Sequence, residues 1–352
     1  MAYSSIVKPG DYFEATTYTG GATDVSSLSF QPDFVWAKKR SGSENHGLFD
    51  AVRGATKTLS SNNTDAESTR GGSLTSFDSD GWSMGGSDGI ISASGSTYVG
   101  WAWKAGNSAG SANTDGSINS TVSVNTTAGF SIVKWTGNNG AGATVGHGLG
   151  SIPKIVLVKN SQQSGYNWVM YHASLGNTKR IWLDLTNAAD TNTSSWNNTT
   201  PSSSVFTLGS SGETNGSGEM IGYCFAEKAG YSKFGSYIGN NNADGPFIYT
   251  GFKPAFVIAK NTTSSGFSWE LFDNKRNATD GVANVIEKRL FPDSNAAEGS
   301  NSDGYLDFVS NGFKIRKTGD TNENNSTYIY MAFAENPLVA NSGTDGVPAT
   351  AR

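Results

Sequence analysis

The groups through which this chain could do chemistry are one cysteine, three histidines and thirty carboxylates, and their spacing decides what they could do. A nucleophilic thiol needs an electropositive, accessible setting. Cys224 stands instead in the apolar run Met220-Ile-Gly-Tyr-Cys-Phe225. Two similar runs, Tyr98-Val-Gly-Trp-Ala-Trp103 and Tyr328-Ile-Tyr-Met-Ala-Phe333, have alanine at its place, so the position reads as a small buried side chain. His172 ends Met170-Tyr-His172, where the comparable triplets Leu48-Phe-Asp50 and Leu271-Phe-Asp273 end in acid. Arg53 and Arg276 follow those acids by three residues, whereas Leu175 follows the histidine. This pattern predicts an ion pair twice and its neutral replacement once. His147, between Gly146 and Gly148, reads as a turn residue.

Glycoside hydrolysis asks for two carboxylates facing each other across a cleft. Glu227 and Glu335 hold equivalent places in separate repeats and are expected far apart. Glu213, Glu219 and Glu323 stand in Gly/Asn-rich segments and read as solvated. Asp78-Ser-Asp-Gly81 opens like a calcium loop but lacks support at the later ligand positions. No phosphate loop, HExxH helix or Ser-His-Asp spacing is present. No catalytic residue, metal site or cofactor is therefore expected. Trp182 and Trp196 flank a polar loop that begins at Asp184. An indole beside Asn and Asp can hold a sugar by ring stacking and hydroxyl bonding, so Trp182, Asp184 and Trp196 are the expected glycan contact. Trp36, Trp101, Trp103 and Trp269 fall at repeated apolar positions and read as core.

The elements that must position these groups are short and β-rich. Glycine supplies 44 of 352 residues, about 12% against a usual 7% or so. Aromatics reach 11% and charged residues only 16%, a composition of strands joined by tight turns rather than of a disordered chain. A net charge of −5 argues against nucleic acid, which needs clustered Lys and Arg. No stretch approaches the roughly 18 apolar residues of a membrane span. Met1-Ala-Tyr-Ser-Ser5 lacks a basic and apolar leader pattern, so synthesis in a reducing cytoplasm is expected.

The chain repeats itself. Pro32-Asp-Phe-Val-Trp-Ala-Lys38, Pro153-Lys-Ile-Val-Leu-Val-Lys159 and Pro254-Ala-Phe-Val-Ile-Ala-Lys260 share one pattern, and each of the apolar runs quoted above follows one of them. Tyr18-Thr-Gly20, Trp135-Thr-Gly137 and Tyr237-Ile-Gly239 precede them, and Lys57-Thr-Leu59, Lys179-Arg-Ile181 and Lys288-Arg-Leu290 lie between. Markers recurring in order point to tandem modules. The expected fold is all-β: three antiparallel β-sandwich modules, jelly-roll or concanavalin/lectin-like. Residues 1–106 form the first, with a short N-terminal arm. A flexible linker spans 107–117, the other modules span 118–230 and 231–338, and 339–352 is an extended tail.

The segments Asp11-Tyr-Phe13, Ser73-Leu-Thr-Ser-Phe-Asp-Ser-Asp-Gly-Trp82, Gly129-Phe-Ser-Ile-Val133, Ser204-Val-Phe-Thr-Leu-Gly209, Gly245-Pro-Phe-Ile-Tyr-Thr-Gly251 and Pro348-Ala-Thr-Ala-Arg352 carry a further signal. With the markers, they make the chain resemble uncharacterised structural proteins of marine podoviruses and related phages of aquatic bacteria. That resemblance implies a non-enzymatic virion protein on the particle exterior, made in the host cytoplasm. Two roles stay open: a tail fibre or appendage component contacting host surface glycans, and a capsid or tail decoration protein. A polysaccharide-degrading tail enzyme ranks behind both for want of its carboxylate pair. The expected partners are other virion proteins, further copies of the chain and a host surface glycan, with neither nucleic acid nor membrane insertion.

Overall fold

Strands that are apolar at every position need cover on both faces, and the three longest apolar runs are used in that way. In a computed structural model, which describes residues 4–277 and 285–336, Thr97–Trp103, Gly218–Phe225 and Thr327–Ala334 are inner strands of three antiparallel sheets. The first sheet has the order Phe13–Thr19, Thr97–Trp103, Phe34–Lys39, Gly47–Asp50. The same order recurs as Phe130–Gly137, Gly218–Phe225, Ile155–Asn160, Val169–His172 within an eight-stranded sheet. It recurs again as Ser232–Ile238, Thr327–Ala334, Pro254–Asn261, Glu270–Asp273. Registers correspond too: Trp36 lies opposite Trp101, Leu157 opposite Tyr223, and Ile258 opposite Met331. Pro254 begins its strand, while Pro32 and Pro153 stand two residues ahead of theirs.

One face of each sheet closes a sandwich. In the first, Val35, Ala37 and Ala102 pack with Trp82 and Leu74 from a layer of Asp24–Val25, Gly81–Met84 and Leu74–Asp78. In the second, Val156, Val158 and Cys224 pack with Phe206 from the pair Thr144–Gly146 and Val205–Thr207. In the third, Val257, Ala259 and Ala332 pack with Phe308 and Phe313 from a four-stranded layer. The alternate residues of the same strands point the other way, and there the three sheets meet. Phe34, Trp101 and Trp103 share one cluster with Leu157, Tyr223 and Phe225 and with Phe256, Met331 and Phe333. Phe34 stacks on Tyr223 at 4.4 Å between ring centroids and Phe13 on Phe333 at 5.3 Å. A central cavity of about 20 Å³ remains, lined by Phe34, Trp103, Leu157, Tyr223, Ile258, Met331 and other apolar residues, and it offers a water few groups to bond.

Hydrogen bonds at matching positions join the sheets pairwise in a cycle. Gly165 N donates to Thr64 O, Gly266 N to Thr186 O and Glu44 N to Asn295 O, each at 2.9 Å. Glu67 N donates to Ser161 O, Ala189 N to Thr262 O and Glu298 N to Arg40 O, at 2.8, 3.1 and 3.2 Å. Trp168 Nε1 reaches Ser60 O at 2.8 Å, Trp269 Nε1 reaches Trp182 O at 2.7 Å, and His46 Nε2 pairs with Phe291 O at 3.0 Å. The lysine that follows each marker proline is fully buried, its Nζ donating to the carbonyl of Lys39, Tyr166 or Phe267. A buried ammonium needs such a partner, which is why the residue type recurs.

One segment differs from expectation. Residues 107–117, read as a flexible linker from their small polar composition, contain strand Ser111–Asn113, paired to Ser120–Asn125 at the edge of the second sheet. Asp33 Oδ2 pins the approach by accepting from Ala105 N at 2.7 Å and Asn107 N at 3.0 Å. The N-terminal arm folds back: Ser5 N donates to Ala229 O at 3.1 Å and Ile6 is buried in the shared core. The expected tail 339–352 lies outside the described residues.

Candidate functional site

The expected glycan contact does not form a surface. Trp196 ends the short helix Thr193–Trp196, capped by Asn192, and is only 1% exposed, its ring against Tyr171 at 5.9 Å. Asp184 is buried and accepts from Trp168 N at 3.1 Å, and burial pushes its carboxyl up to about 7. Trp182 is half-buried, with its Nε1 donating to Glu213 Oε1 at 3.0 Å and Arg180 over its ring at 4.4 Å. Trp196 packs inside the second sheet's own sandwich core, and the loop before it bonds to the loop after Pro254–Asn261 through Thr186 O and Ala189 N.

The nucleophile and base candidates are also engaged in packing. Cys224 is fully buried, and that burial pushes its thiol well up. His172 Nδ1 accepts from Ser174 N at 3.1 Å and Nε2 faces Tyr330 O at 3.2 Å; burial lowers it to about 4. His46 Nδ1 accepts from Trp36 Nε1 at 2.8 Å, which makes Nε2 the protonated nitrogen, and burial lowers its pKa to about 3. His147 Nδ1 accepts from Leu149 N and Nε2 faces Ser202 O. The expected ion pairs are present and buried, Arg53 with Asp50 at 2.5 Å and Arg276 with Asp273 at 2.6 Å.

Each of those acids also takes a bond from a neighbouring sheet. Tyr223 Oη donates to Asp50 Oδ2 at 2.8 Å and Trp101 Nε1 to Asp273 Oδ2 at 3.0 Å. Met331 stands at the third such position, opposite Ile258 as Tyr223 is opposite Leu157. A methionine has no proton to donate, and the sheet it would serve carries neutral His172 in place of an acid. Asp78 accepts from Ser76 and Ser83 hydroxyls across a turn. Among the described residues no group of three or more His, Cys, Asp or Glu could hold a metal.

Sequence reasoning missed the cluster with the strongest site character. In the second module Arg180 NH1 bonds Glu213 Oε2 at 2.5 Å, and Glu213 Oε1 accepts from Trp182 Nε1 and Asn167 Nδ2, both at 3.0 Å. Glu213 is therefore a partnered, largely buried group rather than a solvated one. In the third module Arg289 NH1 bonds Asp320 Oδ2 at 2.8 Å and Glu270 Oε1 at 2.7 Å. Glu270 is 4% exposed, and its Oε2 has no partner. Burial outweighs Arg289 and raises it to about 7. Burial would raise Asp320 too, but Lys317 and Arg289 hold it below the ordinary value. Glu270, Arg289 and Asp320, with Phe267, Ser268 and Phe291, line a cleft of about 210 Å³. The signal was legible: Glu270 precedes Leu271-Phe-Asp273 where the other copies have Gly47 and Val169, a charge at an otherwise apolar strand position.

Residues 8–337 match the family described as Domain of unknown function (DUF7483). No curated protein and no solved structure matches the chain.

Proposed function

We propose that this chain, which belongs to the DUF7483 family, is a non-enzymatic structural protein of a bacteriophage particle, carried on its exterior. The observation that supports the reading best is where the reactive groups are. The thiol and all three imidazoles are buried, and each imidazole has both nitrogens bonded within the fold. Three sheets packed around one core suit a rigid structural part with no moving catalytic cleft. The resemblance to podovirus structural proteins supports the particle setting. A low charge and a net −5 suit a face turned to solvent better than one turned to packaged DNA.

Both a tail fibre or appendage component and a capsid or tail decoration protein fit this fold. Intact particles of the encoding phage can be treated with a membrane-impermeant amine label and their proteins mapped for modified lysines. Exposed lysines such as Lys179 should carry the label. Particles that lack the protein would sink the virion assignment, and particles that hold it unlabelled would sink the exterior placement.

A further inference from the structure

We propose that the third module carries a saccharide-binding cleft, in which Glu270, Arg289 and Asp320 bond sugar hydroxyls beside the rings of Phe267 and Phe291. The second module is an internal reference for this site, because its equivalent cluster is closed. Arg180 and Arg289 each follow a lysine in matching strands. Glu213-Thr-Asn215 matches Asp320-Thr-Asn322, and both asparagines accept from the backbone of matching loops, Asn138 N at 3.0 Å and Asn240 N at 2.8 Å. In the second module the glutamate, the Trp182 indole and the Asn167 amide satisfy one another.

Three substitutions undo that closure. The acid is one methylene shorter in Asp320, the indole becomes the Phe291 phenyl, and the Asn167 amide becomes the Ser268 hydroxyl, which bonds Asp293 instead. The cleft of about 210 Å³ opens where the larger groups stood. Glu270 replaces Val169 and adds a carboxylate whose Oε2 is buried and unpartnered. A buried acceptor without a partner is destabilising, and a donating ligand would supply the missing bond. Arg180 Nε and Arg289 Nε are both unpartnered, so Glu270 is the group that distinguishes the open site from the closed one.

The charges select the ligand. Glu270 and Asp320 are balanced by Arg289 and Lys317, with Lys260 bonded to the Phe267 carbonyl behind them. Pairing leaves the cleft no net charge with which to select an ion, and the free Glu270 oxygen asks for a hydrogen-bond donor. A neutral molecule rich in hydroxyl donors, with a C–H face for the phenyl rings, fits both conditions. The cleft falls below the roughly 300 Å³ of drug-sized pockets, which suits one sugar residue. Binding proceeds without hydrolysis. Arg289 NH1 bonds both carboxylates and so occupies the place a reacting anomeric carbon would need between them. The cleft does not depend on the particle reading, because binding is measured on the purified chain and placement on particles.

The test is saturation-transfer NMR on the full chain with glucose, galactose, N-acetylglucosamine and rhamnose at about 10 mM, above the millimolar Kd range such a small site allows. At least one sugar should receive saturation. Asp320→Glu with Ser268→Asn and Phe291→Trp, which restores the three groups of the closed cluster this chain already folds, should weaken binding at least about tenfold. Glu270→Gln should weaken it similarly while Glu213→Gln leaves it unchanged. No signal from any of the four sugars with the unaltered chain, equal binding by the variants, or release of reducing ends from an oligosaccharide of the bound sugar would overturn the proposal.

Discussion

At the scale of single residues, the internal repeats separate packing from chemistry. Ala102, Cys224 and Ala332 share one position and all are fully buried, so the thiol is a small core group. Asp50, His172 and Asp273 share another, and the histidine appears where the donor from the next sheet is the protonless Met331. Glu270 is the exception, a carboxyl with no counterpart in its sister positions, and it gives a pH signature. Its pKa is about 7 in the folded chain against an ordinary 4.5, so between those values the folded state binds more protons than the unfolded state. Stability from this group is therefore complete below about pH 4.5 and declines as pH rises to about 7. Relative to Glu270→Gln, the unaltered chain should lose stability over that window, by at most about 3 kcal/mol, and run parallel above it. Urea titrations of both proteins at pH 5, 6 and 7 measure this; a constant difference would contradict the burial argument.

At the scale of elements, the strands were readable and their partners were not. Runs such as Tyr98 to Trp103 and Met220 to Phe225 announce strands with both faces covered, and the structure places them inside their sheets. The sequence carries no statement of what covers the second face, because aromatic residues at alternate positions look alike in a private sandwich core and in a shared one. Composition misplaced Trp182, Asp184 and Trp196 as well: an indole beside a polar loop reads the same at the surface as in a sandwich core, where Trp196 packs. Residues 107–117 misled for a related reason, since Gly, Ser and Asn also build a short edge strand. The joins between sheets depend on single donors, which can be removed. Trp168→Phe and Trp269→Phe each delete an indole N–H bonded to a carbonyl of the next sheet and should each lower stability by about 1–3 kcal/mol. Chemical denaturation reads the effect, and a change under about 0.5 kcal/mol at either site, typical of an uncoupled surface substitution, would mean that the bond does not join the sheets.

At the scale of the whole molecule, the repeated strand order and the cyclic bonds make one body from what the sequence presents as a series. Separate modules on a flexible linker would each expose a face bearing residues such as Trp101, Tyr223 or Phe256, and exposed patches of that kind are avoided in soluble proteins. Burying them together ties the stability of each sheet to the other two. The predicted consequence is cooperative unfolding, with the N-terminal arm and the Ser111–Asn113 edge strand melting along with the core they bind. Differential scanning calorimetry of the full chain tests this most directly. A single transition whose calorimetric and van't Hoff enthalpies agree is the predicted result, and two or three separable transitions would show that the modules stand alone and that the shared core is not what holds them together.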